Sequence, residues 1–173
     1  MVKSSGKFYR NFVVLLMVNF VALALGAAYT DPGVSSDWYK SLNQAPWTPP
    51  GWVFGMAWTT IGVTYALMMT YLSVSSYRHI DQVHNWFWFS VAFNIMWNPV
   101  FFWKHFLWLG VIVLVILSYL IFRLVDFTRS SMGWKIAWLG MPYFIWLMIA
   151  TSLNLYIALM NWFGNVRFIL YIC

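Results

Sequence analysis

The sequence predicts an all-α integral membrane protein, a five-transmembrane-helix bundle with a long lid loop between helices 1 and 2. Three observations carry that expectation. First, 62% of the residues are hydrophobic and only 8% are charged, against about 45–50% apolar and about 25% charged in soluble domains. So few charges cannot solvate a globular surface of 173 residues, and the mean hydropathy is +0.71. Second, five apolar runs approach the roughly 20 residues that cross a bilayer. Third, the polar connections between them are short, except one that is dense in tryptophan and proline. The length suits one domain, residues 12–162, between an N-terminal tail at 1–11 and a C-terminal tail at 163–173.

The N-terminal tail is basic, with Lys3, Lys7 and Arg10, and the first apolar run occupies residues 12–29 with Asn19 as its strongly polar member. A basic stretch, an apolar stretch and the small residues Gly26-Ala27-Ala28 also form the pattern of a secretory signal peptide. The four further spans and a length close to a full crossing favour a retained helix. Residues 30–49 are the long polar connection. Turn chemistry at Asp31-Pro32-Gly33 and Ser35-Ser36-Asp37 predicts a break after the first span, and residues 37–42 suit a short helix capped by Ser36 or Asp37. Loops this long inside compact bundles are lids or disordered segments. Trp47, Trp52 and Trp58, interleaved with Pro46, Pro49, Pro50, Gly51 and Gly55, favour the lid.

The second span covers residues 50–72. Proline fixes φ near the helical value and has no N–H, so Pro49-Pro50 suits its first turn. Trp47 and Trp52 flank the prolines at the depth where indoles prefer a membrane interface. Residues 73–85 are polar and include Arg78, His79, Asp81 and His84. The third span, 86–103, contains Asn98-Pro99, and the tight connection Lys104-His105 makes it an antiparallel neighbour of the fourth. That fourth span, 106–125, is nearly all Leu, Ile and Val with Arg123 at its end; the fifth, 135–162, carries Pro142. Each interior proline frees a backbone carbonyl one turn earlier. Either the chain kinks there, with Asn94 or Asn98 satisfying the freed groups, or these are ordinary membrane-helix prolines.

Five spans place the termini on opposite sides. Lys3, Lys7, Arg10, Arg78, Arg123, Arg129 and Lys135 fall on the N-terminal side, against Lys40, Lys104 and Arg167 on the other. The positive-inside rule then puts the N-terminus in the cytoplasm and the Trp-Pro loop outside. A bacterial membrane is expected, or the mitochondrial outer membrane for a eukaryotic chain.

Lipid does not drive helices together, so polar, small and aromatic residues at helical spacing mark the faces that meet. Phe54, Trp58, Ile61, Gly62 and Tyr65 share one face of the second span, beside Thr59. Asn94, Trp97, Asn98 and Phe101 recur on the third, and Tyr143, Trp146, Ala150 and Asn154 on the fifth. Singly, each of these reads as helix–helix contact. As a set they predict the walls of a pocket between spans two, three and five, with spans one and four packed around it. A cavity lined by indoles, phenols and a few amides suits a large, flat, mostly apolar ligand.

Several classes are excluded. The net charge is +6, but the basic residues are dispersed among apolar runs without a stripe, so nucleic acid is not an expected partner. The one cysteine, Cys173, offers no internal disulfide and no metal-ligand spacing. No Asp, Glu, Lys or Arg lies near mid-membrane, which argues against an ion-coupled pump. No Ser-His-Asp, Cys-His or paired-carboxylate arrangement is available, and His79, His84 and His105 fall in connections, where solvated or interfacial roles fit better than ligation of haem or metal.

Trp38-Tyr39, the run Pro46-Trp47-Thr48-Pro49-Pro50-Gly51-Trp52-Val53-Phe54 and Ala57-Trp58 resemble the first loop and second helix of the translocator protein family. That family is also called the peripheral benzodiazepine receptor or tryptophan-rich sensory protein family. Phe93-Asn94 with Trp97-Asn98-Pro99-Val100-Phe101-Phe102 resembles its third helix, and Pro142-Tyr143, Trp146 and Ala150-Thr151-Ser152-Leu153-Asn154 its fifth. The resemblance covers residues 22–162 and suggests a bacterial member. It implies five transmembrane helices, a homodimer, and a pocket under the first loop for porphyrins and benzodiazepine-type ligands. Carried over residue by residue, the pocket comprises Tyr39, Trp47, Pro49, Phe54, Trp58, Asn94, Trp97, Trp146 and Ala150; Asn98 joins them from the face on the third span. Gly62 stands where some relatives carry a bulkier pocket residue. The sterol motif of animal members is broken here, because Leu153-Asn154 is followed by Leu155 and Leu159 stands where a base is required. A pattern of opposite polarity, Lys104, Phe106 and Leu109, is present.

The expected function is therefore a membrane sensor that binds tetrapyrroles of the protoporphyrin IX class, with no obligatory cofactor and no metal. Lys40 or backbone donors at the lid would meet the propionates. Three alternatives stand beside it. One is light- and oxygen-dependent porphyrin breakdown, for which electron-rich Trp47, Trp58 or Trp146 would be the catalytic candidates. Another is passive movement of porphyrin, lipid or sterol along the bundle. The last is a scaffold dimer, for which Ala22 with Gly26, and Gly51 with Gly55, have small-xxx-small spacing.

Overall fold

The computed structural model describes residues 5–75 and 80–170, with side chains as far as residue 161. Lys3, Arg78, His79 and Cys173, together with the Arg167 side chain, lie outside what it describes. Among the described residues the structure is helical, with no strand. In chain order the helices are α1 (Ser5–Ser35), α2 (Asp37–Ser41), α3 (Gly51–Ser73), α4 (Ile80–Asn98), α5 (Leu107–Met132), α6 (Trp134–Ala137) and α7 (Met141–Leu170). A π-helical turn, Pro99–Trp103, extends α4, and a 3₁₀ turn, Trp138–Gly140, joins α6 to α7. Four of these runs, α1, α3, α5 and the continuous α6–α7 segment, are long and apolar enough to cross a membrane.

α1 does not end at the predicted turn near residue 30. It runs on through Pro32 to Ser35, so the connection to α3 is shorter than expected. The reason lies in packing. Gly26 and Gly33, two helical turns apart on one face, lie against Asn98 and the Phe102 ring, and a Cβ at either position would collide with them. These tertiary contacts hold the last turns of α1 against its local turn signals. α2 forms as predicted, and Ser36 is its cap: the hydroxyl accepts from the Tyr39 amide at 3.2 Å. α3 starts directly after Pro50, which sits in extended conformation as its N-cap.

α4 begins at Ile80, six residues before the predicted third span, with Asp81 in its first turn where a negative charge complements the helix dipole. At its far end Pro99 supplies no N–H, and the Asn98 carboxamide takes over: its Nδ2 donates to the Asn94 carbonyl at 3.0 Å and to that of Ile95 at 3.5 Å. The π turn absorbs the disturbance and closes with the Lys104 amide donating to the Pro99 carbonyl at 2.9 Å. His105, at φ 58°, reverses the chain into α5, and α4 and α5 pack side by side as the tight connection requires.

α5 extends to Met132, past the predicted end at residue 125, and stops at Gly133 with φ 81°. Pro142 does not kink the last span. It lies in the first turn of α7, after the 3₁₀ turn, where a missing N–H is harmless. Gly140 makes that turn fit, since a Cβ there would sit 2.6 Å from Val125 and 2.7 Å from the Met68 sulfur.

The arrangement of spans also differs from the expectation. α5 is the most buried of the four apolar runs and packs against both α4 and α7, whereas α1 is the least buried and lies at the edge against α3 and α4. The main core holds Met68, Leu72, Phe87, Leu117, Ile121, Leu124 and Leu147; a second cluster, covered by Trp38, Tyr39 and Leu42, holds Phe101, Phe102 and Ile157. Phe8 lies 5.1 Å from Tyr71, and Arg123 stacks 4.8 Å over Trp86. The start of α1, the end of α3, the start of α4 and the end of α5 therefore share one end of the bundle.

Candidate functional site

The connection between α1 and α3, residues 36–50, is tied down at several points. Trp38 stacks on His105 at 3.8 Å with their planes 13° apart, and Tyr39 lies against Phe101 and Phe102 at 6.4 and 5.6 Å. Burial pushes the Tyr39 phenol above its ordinary pKa, so it stays a neutral donor. The Asn43 amide donates to Asn161 Oδ1 at 3.0 Å. Trp47 reaches α7, where its Nε1 donates to Ser152 Oγ at 3.2 Å and its ring meets Tyr156 edge-on at 5.2 Å. Trp47 remains 53% exposed and Trp52 67% exposed, as interfacial indoles should be.

Beyond this connection, α3 and α7 face one another through a ladder of edge-to-face rings. Phe54 meets Trp146 at 5.1 Å, Trp58 meets Tyr143 at 6.0 Å, and Tyr65 meets Tyr143 at 5.2 Å. On one side of this ladder a small cleft of about 20 Å³ is lined by Asn19, Ala22 and Leu23 of α1, Trp58, Ile61, Gly62 and Tyr65 of α3, Ser90, Val91 and Asn94 of α4, and Tyr143 of α7. On the other side an open groove of about 350 Å³ runs between α3 and α7. It is lined by Trp52, Val53, Met56, Ala57, Thr60 and Ile61 from α3 and by Pro142, Ile145, Trp146 and Ile149 from α7. Ile61 borders both spaces.

The structure distributes most of the sequence-predicted residues over three places. Trp58 and Asn94 line the small cleft. Trp146 lines the groove, with Phe54 stacked against it. Tyr39, Trp97 and Asn98 lie in the packed layer around Phe101 and Phe102: Trp97 stacks on Phe101 at 5.4 Å and donates to Asn154 Oδ1 at 3.0 Å, and Asn98 Oδ1 accepts from the Thr30 hydroxyl at 2.6 Å. Ala150 is half-buried against the main core and Pro49 is half-buried at the start of α3, while Trp47 sits over α7. The ten residues do not surround one space in this conformation. Ser90 was missed by the sequence reading, although it lies one helical turn before Asn94 on the same face. Asn19 was noted only as the polar member of the first span, and it reaches the cleft, its Nδ2 donating to the Gly62 carbonyl at 3.1 Å. Among the described residues no three His, Cys, Asp or Glu side chains come together.

These features define a class: an all-helical integral membrane protein whose interhelical spaces are lined by aromatic and amide side chains next to a tryptophan-rich connection. Within that class the chain belongs to the TspO/MBR family, whose model matches residues 12–160. It is 31% identical over 155 residues to protein CrtK of Rhodobacter capsulatus, covering 86% of this chain and 94% of that one. It is likewise 31% identical over 152 residues to a tryptophan-rich sensory protein of Cereibacter sphaeroides, covering 85% and 92%. The translocator protein of Bos taurus is 28% identical over 138 residues, covering 75% and 78%.

Proposed function

We propose that this protein is a membrane sensor that binds flat, aromatic, largely apolar ligands, tetrapyrroles such as protoporphyrin IX and benzodiazepine-type molecules, between α3 and α7 beneath the lid. The supporting observation is the groove of about 350 Å³ between those helices, within the range of roughly 300–1,000 Å³ for ligand pockets. Its walls are mostly aliphatic and indole, and Phe54 packs edge-on against the Trp146 that lines it. A macrocycle would part that pair and stack on Trp146, with Trp58 behind it and Lys40 at the lid for its propionates. In this reading α4, at 19 residues and about 28 Å long, is the fifth transmembrane helix, and residues 36–50 are the lid. The N-terminus is cytoplasmic, since Lys7, Arg10, Arg123, Arg129 and Lys135 gather at one end of the bundle. Two copies form a homodimer, and no cofactor is required.

The test is tryptophan fluorescence of the purified protein, titrated with protoporphyrin IX, a sterol and a benzodiazepine-type ligand in one series. Protoporphyrin should quench saturably. Trp146→Leu should weaken its binding by about 2- to 12-fold, the equivalent of one aromatic contact of ~0.5–1.5 kcal/mol. Unchanged affinity in both Trp146→Leu and Trp58→Leu would remove the site.

A further inference from the structure

The two arginines of α5 are partnered differently. Arg129, near the end of the helix, forms an ion pair with Asp126 at 2.7 Å. Arg123 lies about 9 Å nearer the middle of the bilayer along the helix axis, and among the described residues no carboxylate pairs with it. Its depth follows from α5 itself. That helix starts at Leu107, beside the exposed Trp103 and the Lys104 that stacks on it at 4.2 Å, which mark the opposite interface. Arg123 stands about 24 Å along the axis from that start, short of the roughly 30 Å hydrocarbon layer. A charge at such a depth needs a partner, and it marks a site by default.

The guanidinium is held in one place. Its Nη1 donates to the Tyr119 hydroxyl at 2.8 Å, and the group lies 4.8 Å over the Trp86 ring of α4 and 5.7 Å from the Tyr119 ring. Trp86 is packed against the main core, so α4 and α5 together set both position and plane. The bond to Tyr119 uses one of the five guanidinium donors, and the tyrosine oxygen that accepts it still has its own proton to give. Tyr119 is exposed and Arg123 half-buried, so the pair is open to the surface of the bundle.

The complementary group is an anion with several acceptor oxygens. A planar guanidinium binds phosphate through two parallel bonds, and the Tyr119 hydroxyl adds a third donor at the same point. A lipid rather than a free ion fits the surroundings, because Ile112, Val115, Tyr119 and Phe122 form an exposed stripe at helical spacing along α5. Acyl chains attached to a phosphate at Arg123 would lie along it.

We propose that Arg123 and Tyr119 bind the phosphate of one phospholipid on the outer α4–α5 surface, in the leaflet at the end of the bundle where α1 starts. Trp86 positions the guanidinium, and the headgroup is drawn below the level of Arg129. The site lies away from the α3–α7 groove and stands independently of the proposed ligand.

Native mass spectrometry of the full chain in detergent tests it, with phosphatidylglycerol, diacylglycerol of the same chains and inorganic phosphate as separate probes. The wild type should retain its first phosphatidylglycerol about fivefold more tightly than Arg123→Gln, the scale of one basic residue at an anionic membrane surface. Tyr119→Phe should weaken retention in the same direction. Arg129→Gln removes an equal charge from the same end and should leave it unchanged. If Arg123→Gln does not fold, Arg123→Lys, which keeps the charge and loses the planar fork, carries the test through weaker retention. Equal retention by the wild type and the folded Arg123 variant overturns the site, as does equal weakening by Arg129→Gln, the result of net charge alone. Diacylglycerol or inorganic phosphate held as tightly as phosphatidylglycerol also overturns it, the first reducing the surface to apolar contact and the second to a free-anion site.

Discussion

Asn98 is the residue on which the junction of α1, α4 and the lid turns, and its substitution gives the sharpest test of the packing. The side chain is 9% exposed. Its Nδ2 serves the carbonyls of Asn94 and Ile95, and its Oδ1 accepts from Thr30 at 2.6 Å. Asn98→Ala removes both functions. Interhelical hydrogen bonds in membranes average ~0.6 kcal/mol and reach ~1.7, and a carbonyl left without a partner costs ~1–3 kcal/mol. Alanine returns about 0.5 kcal/mol as the better helix former, so a net loss of about 2–3 kcal/mol is expected. Gly26 faces the same amide: a Cβ there would stand 2.7 Å from Nδ2 and 3.2 Å from Cγ. Gly26→Ala must therefore push the Asn98 carboxamide off its partners and should cost a similar ~1–3 kcal/mol, as overpacking does. Once Asn98→Ala has emptied that space, the added methyl meets nothing. The double variant should be no less stable than Asn98→Ala alone, a coupling of about 2 kcal/mol, measured by denaturant unfolding in detergent with tryptophan fluorescence. Strict additivity, within the ~0.3–0.5 kcal/mol of independent sites, would refute the contact.

Gly140→Ala should destabilise by about 1–3 kcal/mol in the same assay, because the new methyl meets the stiff Val125 side chain at 2.6 Å as well as Met68. Trp47→Phe keeps the ring against Tyr156 but loses the Ser152 hydrogen bond. Ser152 retains its own bond to the Ile149 carbonyl, so global stability should change by less than about 1 kcal/mol while limited proteolysis within the lid accelerates several-fold. Tyr39 gives a pH signature. Its folded pKa is raised above 10.0 by burial, so the unfolded chain loses the proton first. Its contribution is complete below pH 10.0 and falls as pH rises toward the folded value. Lid protection measured from pH 8 to about 11 should decline only at the alkaline end, and Tyr39→Phe should abolish that decline.

The sequence revealed the class of fold and the second helix with its proline start, because composition and proline chemistry act locally. It revealed less where tertiary contacts prevail. Asp31-Pro32-Gly33 reads as a turn, yet Gly33 seats the Phe102 ring and the helix continues; the seven-residue spacing of Gly26 and Gly33 was the available signal. Pro142 reads as a mid-span kink only if Gly140, two residues earlier, is overlooked as the tight point of a turn. α5 reads as peripheral because, before its end, it carries almost nothing polar except Ser118 and Tyr119. In a bilayer, however, polarity does not mark burial, since lipid is as apolar as leucine. The informative residue in α5 is Gly110, where a Cβ would stand 3.0 Å from Asn154 Oδ1 and 3.3 Å from Phe101.

The pocket residues divide among three places because the aromatic faces meet each other. The Phe54–Trp146, Trp58–Tyr143 and Tyr65–Tyr143 pairs are each worth ~0.5–1.5 kcal/mol beyond area burial, and a ligand that separates any of them must offset that amount. Opening of this kind lowers apparent affinity by the fraction of molecules in the open state. A flat aromatic ligand recovers the loss best, because it offers a ring face to each indole it parts, whereas a sterol offers none. Tyr143 belongs to two of the three pairs through its ring and also lines the small cleft. Tyr143→Phe removes only the hydroxyl and leaves the ladder intact, and Tyr143→Leu removes both the hydroxyl and the ring. If the closed ladder limits ligand binding, Tyr143→Leu should raise the rate of porphyrin association and Tyr143→Phe should leave it unchanged. Equal rates in all three proteins would show that the ladder opens freely.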